Sequence, residues 1–203
     1  MHAFEQVSGI ALPMDRAHID TDTIIPQRWL VTVSRQGLGR GLFGSLRYDA
    51  QGHEQPDFIL NQPAYRGACL IVAGANYGCG SSREHAVWAH LDYGIRAIIA
   101  PSFGAIFYGN SLNNGLLPVE LPAPQVALLL QQLQAAPGAH CTVDLQRCQV
   151  TGPDATTYPF AMDAGRRQAL LLGLDEIALT ERELPRIAAF QQQQLQRMPW
   201  LNA

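Results

Sequence analysis

The stretch "GANYGCGSSREHAVW", residues 74–88, directly follows the short apolar run ACLIVA and predicts a strand, a turn and a helix in succession. An apolar run of this length is typical of a strand that is buried on both faces. Residues 81–84, SSRE, match the S-x-x-E capping box, with Ser81 as the N-cap and Glu84 in the first helical turn. We expect the helix to end at Gly94, because glycine readily adopts the left-handed conformation found there.

The same alternation continues towards the C-terminus. Residues 95–100 (IRAIIA) have the pattern of a second buried strand, residues 104–114 that of a short helix, and residues 116–121 that of a third strand. Strands that alternate with helices in this way favour a parallel sheet with crossover helices. The predicted fold class is therefore α/β, with parallel strand–helix–strand units.

The flanking segments extend this prediction on both sides. Residues 7–14 (VSGIALPM) are expected to form a strand, and residues 124–138 an amphipathic helix. A hairpin is expected to turn at residues 152–154 (GPD). Two further helices are predicted over residues 163–173 and 180–198.

Length and composition restrict the class of protein. The chain has 203 residues, of which 47% are hydrophobic and 15% are charged, and this length fits one domain of about 100–200 residues. We expect residues 1–203 to form a single domain, with C-terminal helices from about residue 163 packed on it. The net charge of −3 shows no basic excess, which argues against nucleic-acid binding.

Neither the chain's start nor its cysteines point to export. The first nine residues (MHAFEQVSG) lack the basic and apolar regions of a secretory signal, and no apolar run approaches the ~20 residues that cross a membrane. The four cysteines, Cys69, Cys79, Cys141 and Cys148, contain no C-x-x-C pair. We therefore expect a cytoplasmic protein with reduced thiols that binds no metal or iron–sulfur cluster through its own residues.

Arg83 is the residue that suggests a binding site. A cation in the first turn of a helix faces the positive end of the helix dipole, which is unfavourable unless an anion lies nearby. Helix N-termini bind anions through free N–H groups, and arginine offers a planar fork to carboxylate or phosphate. Glycine backbone, Ser81, Ser82 and Arg83 together predict an anion pocket.

Known anion-binding motifs do not account for this stretch. A P-loop requires a lysine, the dinucleotide motif G-x-G-x-x-G meets Arg83 at its last glycine, and the nucleophile elbow G-x-S-x-G lacks its second glycine. Cys79, His85 and His90 lack zinc-site spacing, and we expect Cys79 and His85 to have structural roles. A serine hydrolase site stays open at this point, although no third orienting residue is evident.

The motif YGCGSSREHA, together with DTDTIIP (residues 20–26) and DYGIRAIIAPSFGAIFYGNSLNNGLLPVEL (residues 92–121), resembles the small subunits of 3-isopropylmalate dehydratase. This family is the swivel-domain part of aconitase-like enzymes. The resemblance runs from about Phe4 through the C-terminal helices. It implies a swivelling β/β/α domain of the aconitase C-terminal type.

The resemblance also implies a reaction and a partner. These enzymes interconvert 2-isopropylmalate and 3-isopropylmalate through 2-isopropylmaleate in leucine biosynthesis. A separate large subunit carries the [4Fe–4S] cluster that binds the dicarboxylate substrate, and the small subunit closes over it. By the family pattern, Ser81 is the general base, Ser82 and Arg83 contact a substrate carboxylate, and Asp22 supports a catalytic group of the other subunit. The capping motif still assigns Glu84 to the helix start.

The segment WLVTVSRQGLG, residues 29–39, matches the family region that senses the substrate's side group. Leu30, Val31 and Val33 would pack against an isopropyl group, or they form one face of a strand. Arg35 would contact a carboxylate, or it is solvated. Residues 27–47 are rich in glycine and arginine, which predicts a mobile or irregular loop.

Alternative functions remain at this stage. One keeps the mechanism and changes the substrate to citraconate and 2-methylmalate, since small apolar differences discriminate by only about 1–3 kcal/mol. Another is an anion-binding module without chemistry, and Asp22 is then an ordinary turn residue. The serine hydrolase is a weaker third.

Overall fold

The computed structural model describes residues 1–31, 34–198 and 200. Within these residues the strands are β1 (Gln6–Met14), β2 (Leu70–Ala73), β3 (Ala97–Ala100), β4 (Leu117–Glu120), β5 (His140–Asp144), β6 (Gln149–Thr151) and β7 (Thr157–Pro159). The α-helices are α1 (Thr21–Ile24), α2 (Gly44–Arg47), α3 (Glu84–Tyr93), α4 (Ala105–Asn114), α5 (Ala123–Ala135), α6 (Ala164–Leu172), α7 (Glu176–Glu181) and α8 (Leu184–Arg197).

The described strands form one mixed sheet in the order β4-β3-β2-β1-β5-β6-β7. Strands β1 to β4 are parallel, whereas β5, β6 and β7 pair antiparallel. Strand β1 joins the two parts, because residues 6–10 pair with β5 and residues 11–14 pair with β2. The predicted parallel strand–helix–strand units are confirmed, and the antiparallel strands make the fold a mixed α/β sheet.

The burial of the parallel strands explains their composition. Every residue of β2 (LIVA) and β3 (AIIA) is buried, because helices cover both faces of this part of the sheet. One apolar cluster contains Ile71, Ile98 and residues of α3, and the other contains Leu70, Ile99 and residues of α5. The continuous apolar runs in the sequence therefore correspond to strands with no solvent-exposed face.

The C-terminal helices differ in how they pack. Leu170 of α6 is buried, and its carbonyl oxygen accepts a hydrogen bond from Phe4 N (2.9 Å). In α7 and α8 none of the described residues is buried. The helix predicted over residues 180–198 is therefore wrong in its start, since α7 ends at Glu181 before α8 begins. The single-domain division stays a prediction, and among the described residues no helix has the length and hydrophobicity to cross a membrane.

Residues 27–47 form an irregular layer over α3, without a strand in their described part. Two short 3₁₀ helices, Gln27–Trp29 and Leu38–Gly41, precede α2. Gly39 N donates to Asp92 Oδ2 at 2.7 Å, and this bond fastens the layer to α3. The irregular structure predicted from the glycines is confirmed, and the mobility stays a prediction.

A fully buried histidine lies under the turn that follows β2. His90 Nδ1 lies 2.7 Å from the carbonyl oxygen of Ala86, which can only accept, so Nδ1 carries the proton. Nε2 therefore accepts from the Tyr77 hydroxyl at 2.7 Å. The rings of Phe43 and Phe107 also contact His90. Burial lowers the pKa of His90 from 6.5 to about 4, so the imidazole is neutral in the folded chain.

This burial predicts a pH dependence of stability. Below pH 6.5 the unfolded chain binds a proton at His90 that the folded chain does not bind until about pH 4. The free energy of unfolding should fall as the pH decreases through this window, by up to about 3 kcal/mol. His90→Gln should lower stability near pH 7.5 but flatten the curve between pH 6.5 and 4, as measured by urea unfolding. Exposed His140→Gln serves as the control, and parallel curves for His90→Gln and the unchanged protein would contradict the assignment.

Candidate active site

The candidate site lies at the carboxyl ends of three adjacent parallel strands. The turn at residues 74–83 follows β2, residues 15–20 follow β1, and residues 101–104 follow β3. In open α/β sheets, ligands bind in the crevice outside the carboxyl ends of the strands. The order of the strands thus brings the DTDTIIP and GCGSSREH motifs together, although they are about 60 residues apart in sequence.

Backbone hydrogen bonds join the turn to the loop after β1. Gly78 N donates to the carbonyl oxygen of Ile19 at 2.7 Å, and Thr21 N donates to that of Cys79 at 3.0 Å. The Thr21 hydroxyl also donates to the carbonyl oxygen of Ser81 at 3.0 Å. The segment that contains Ser81 is therefore held by its backbone, which leaves its side chain available.

On its other side the turn pairs with the loop after β3. Tyr77 N donates to the carbonyl oxygen of Ser102 (3.0 Å), and Gly104 N donates to that of Tyr77 (2.8 Å). The turn thus continues the sheet for a few residues beyond β2, with a hydrogen-bonded neighbour on each side.

Two glycines permit this close packing. Gly78 has φ of 71°, and a Cβ there would lie 2.2 Å from a ring carbon of Phe107. A Cβ at Gly104 would lie 2.5 Å from the carbonyl oxygen of Gly78. Gly80 has φ of 89°, but the nearest atom to a Cβ there is 3.5 Å away. Space is therefore limiting at Gly78 and Gly104, whereas only the backbone conformation favours glycine at Gly80.

The helix after the turn begins later than the capping motif predicts. Helix α3 starts at Glu84, its N-cap is Arg83, and no side chain caps it. The predicted capping box of Ser81 and Glu84 is therefore wrong. Instead Glu84 Oε1 accepts from Asn114 Nδ2 of α4 at 2.7 Å. The helix start is stabilised by a contact with another helix, and Ser81 lies three residues before Glu84.

Arg83 pairs with the acidic residue of the other motif. Its Nη1 donates to Asp22 Oδ1, and the Arg83 side chain is 21% exposed against 56% for Asp22. Within the described residues, Nε and Nη2 of Arg83 have no protein partner. The guanidinium is therefore partly exposed at the carboxyl ends of the strands, with part of its fork available.

The two serines are exposed. Ser81 and Ser82 both face solvent. In the part of the chain that the structure describes, no side chain forms a hydrogen bond with the Ser81 hydroxyl. Nearby, hydrogen bonds from Thr23 lower the pKa of Asp20, and the charges of Arg16 and Arg83 lower it further. The site therefore combines an unpaired hydroxyl, a guanidinium and an ionised carboxylate.

The residues predicted to sense a side group lie on the irregular layer. Leu30 follows a 3₁₀ helix and packs partly against the core, so it does not belong to a strand face. Val31 is 90% exposed. The guanidinium of Arg35 lies 5.0 Å from the ring centre of Trp88 in α3, a cation–π contact that fixes the layer beside the helix. Val33 lies outside the described residues.

The described residues contain no group of three or more His, Cys, Asp or Glu side chains that could hold a metal ion. The rings of His85 and Trp88 are 4.8 Å apart, which agrees with a packing role for His85. Cys79 is half-buried within the turn, and its carbonyl oxygen accepts the bond from Thr21.

Three residues of the site region carried no sequence signal of a role. Tyr77 and His90 form the buried pair below the turn, and Asn114 holds Glu84. Asn114 precedes Gly115 at the end of α4, where asparagine is ordinary. Only the contact between the two helices, 30 residues apart in sequence, reveals its function.

Comparison with known proteins agrees with this geometry. The family model for the aconitase C-terminal domain matches residues 1–124, and a second model, described as LeuD_N, matches residues 127–164. The "3-isopropylmalate dehydratase small subunit 1" of Bordetella pertussis is 59% identical over 99% of this chain and 100% of its own length. The small subunit of Paramagnetospirillum magneticum is 49% identical over the same shares. A crystal structure of 3-isopropylmalate dehydratase (leuD) from Methanocaldococcus jannaschii is 27% identical, with a TM-score of 0.66 over 91% of this chain and 99% of that one.

The two left-handed glycines provide a matched test of the close packing. Gly78→Ala and Gly80→Ala both carry the backbone penalty of about 1 kcal/mol. Only Gly78→Ala also forces a methyl group into Phe107, which costs about 1–3 kcal/mol more. We expect urea unfolding to show a clearly larger loss for Gly78→Ala. Equal losses would mean that the turn does not pack against α4 as described.

Proposed function

The chain belongs to the family of 3-isopropylmalate dehydratase small subunits, and we propose that it is one half of a hydro-lyase that interconverts 2-isopropylmalate and 3-isopropylmalate. The reaction removes water to give 2-isopropylmaleate and adds it back with the opposite regiochemistry. The other half is a large subunit of the same enzyme, and the location of the complex is the cytoplasm. Relatives named as small subunits align with this chain over 100% of their own length.

One observation carries the proposal. An exposed, unpaired hydroxyl at Ser81 lies two residues from a partly available guanidinium, at the carboxyl edge of parallel strands. A hydrolase of the serine–histidine type requires a base hydrogen-bonded to its serine, and within the described residues Ser81 has none. An exposed serine beside a cation instead supports proton transfer near a carboxylate.

In this proposal Ser81 acts on the C–H bond of the substrate. During dehydration the Ser81 alkoxide takes the proton from carbon, the C–H electrons form the C=C bond, and the hydroxyl group leaves the neighbouring carbon as hydroxide, which becomes water by taking up a proton from a catalytic group of the large subunit. During rehydration Ser81 returns the proton. A serine alkoxide is a strong base that needs stabilisation, and Arg83 supplies a positive charge nearby. Closure of this chain over the large subunit would exclude water and strengthen this effect.

Arg83 and Ser82 bind a substrate carboxylate in the same proposal. Nη1 of Arg83 pairs with Asp22, so Asp22 holds the fork while Nε and Nη2 receive the carboxylate. This gives Asp22 a role within its own chain, in addition to the support of the partner that the family pattern suggests. Val31, Leu30 and Arg35 lie on the layer that would face the substrate's side group.

The cysteines of this chain do not suit an iron–sulfur cluster. Cys69 and Cys141 lie near each other beside Gly9 of β1, whereas Cys79 lies in the turn after β2 and Cys148 lies between β5 and β6. Burial raises the pKa of the Cys141 thiol to about 12. A cluster needs several thiolates converging on one point. We therefore place the [4Fe–4S] cluster on the large subunit. The steps that we assign to this chain need no metal ligand from its own residues.

Ser81→Ala tests the catalytic assignment in the assembled enzyme. The variant, mixed with a cluster-loaded large subunit of the family, should lose about 100-fold or more of kcat on 2-isopropylmalate, because a general base contributes about 10²–10⁴-fold. Its affinity for the large subunit should be unchanged. Ser8→Ala, the same substitution on the antiparallel side of the sheet, should retain full activity.

The same assay separates the competing functions. Activity only in the mixture supports a small subunit. A kcat/KM that is higher for 2-methylmalate than for 2-isopropylmalate would identify citraconate and 2-methylmalate as the substrates. Substrate binding by the isolated chain without any partner effect would favour an anion-binding module. Stoichiometric labelling by a serine-reactive phosphonate would favour a hydrolase. Near-normal kcat for Ser81→Ala would remove Ser81 from its role.

A further inference from the structure

The start of α3 has no local cap, although the residues that precede it form the candidate site. Arg83 is the N-cap and contributes no capping side chain. The first backbone bond of the helix runs from Ala86 N to the carbonyl oxygen of Arg83 at 3.1 Å. An uncapped first turn frays easily, since its N–H groups lack partners. Thr21 and Asp22 hold Ser81 and Arg83 on one side, so the first turn of α3 needs a further contact on its other side.

Asn114 at the end of α4 makes the required contacts. Its Nδ2 donates to Glu84 Oε1 at 2.7 Å and to the carbonyl oxygen of Asn110 at 2.9 Å. Its Oδ1 accepts from Trp88 Nε1 at 3.0 Å. One amide thus binds the first residue of α3 and the residue one turn later, while it remains anchored to its own helix.

We propose that Asn114 is a positioning residue, which fixes the first turn of α3 and thereby aims Ser81 and Arg83 into the crevice. This inference rests on the proposed function for its effect on activity. The contacts require a side chain that donates to a carboxylate and accepts from an indole at the same time, and an amide does both. Trp88 extends the link, because Arg35 of the irregular layer stacks on it. Asn114 therefore connects the segment that contains Ser81 and Arg83 with the irregular layer of residues 27–47.

The substitution Asn114→Asp tests this role through pH. The introduced carboxylate can still accept from Trp88, but in its ionised form it would face the carboxylate of Glu84. Two carboxylates at hydrogen-bond distance share one proton, and the pKa of one is raised. At pH 8 both are ionised, so the first turn should open. At pH 5.5 a shared proton restores a hydrogen bond between them.

The expected result is a pH-dependent ratio between the kcat of Asn114→Asp and the kcat of the unchanged protein. In complexes saturated with large subunit and 2-isopropylmalate, the kcat of Asn114→Asp should fall about 10-fold or more below that of the unchanged protein at pH 8, since a hydrogen bond to a charged group is lost. The ratio should recover towards one at pH 5.5. Circular dichroism should show the same folded fraction at both pH values.

Asn113→Asp is the matched control. Asn113 is exposed, and it also faces a glutamate, Glu176 Oε1, at 3.4 Å, but it does not contact α3 in the described structure. This variant should keep a ratio near one at every pH. A ratio for Asn114→Asp that stays near one, or that falls equally at all pH values, overturns the proposal.

A second readout separates this inference from the proposed function. Amide hydrogen exchange of Ala86 in the isolated chain should be about 10-fold or more faster in Asn114→Asp than in Asn113→Asp at pH 8, because Ala86 N donates to the carbonyl oxygen of Arg83. If the unchanged complex is inactive on isopropylmalate but this exchange difference appears, the function fails and the positioning stands. Equal exchange in the two variants overturns the positioning whatever the activity.

Discussion

The candidate site depends on the backbone pairing of one turn with two neighbouring loops. Residues 77–79 donate to and accept from the loops that follow β1 and β3, so a segment without regular structure behaves as an extension of the sheet. Buried backbone groups must be paired, and the Thr21 hydroxyl in addition holds the carbonyl oxygen of Ser81. The side chains of Ser81 and Ser82 take no part in these bonds, and Arg83 pairs with Asp22. Rigid backbone with exposed functional groups is the arrangement that catalysis by preorganised groups requires.

The residues that pack around the turn also hold it in place. Below it, the neutral His90 ring and the Tyr77 hydroxyl form a hydrogen bond within an apolar cluster. These two buried polar groups therefore each have a hydrogen-bond partner. Beside it, the absence of a side chain at Gly78 lets α4 approach. At its end, Asp22 and Asn114 hold Arg83 and Glu84 from two other elements. The conformation of the motif GCGSSREH is thus determined mainly by contacts with residues that are distant in sequence.

That distance explains what the sequence could and could not predict. The parallel strands, their crossover helices and the Gly94 cap follow from local patterns of burial and turn residues, and these predictions are confirmed. The prediction for the start of α3 is wrong, because S-x-x-E is a local signal that the contacts with Asp22 and Asn114 outweigh. The antiparallel pairing of β1 with β5 joins segments that are far apart in sequence, which no local pattern encodes. The roles of Ser81, Leu30, Val31 and Arg35 stay predictions from the family resemblance.

Amide hydrogen exchange of the cross-loop bonds tests the central claim most directly. The N–H groups of Thr21, Tyr77, Gly78 and Gly104 each donate to a carbonyl oxygen of a neighbouring segment. If these bonds make the turn part of the sheet, the four amides should exchange within about tenfold of those in the buried strand β2. Exchange as fast as that of an unstructured peptide would contradict the account, since a turn that opens freely could not hold Ser81 and Arg83 in place.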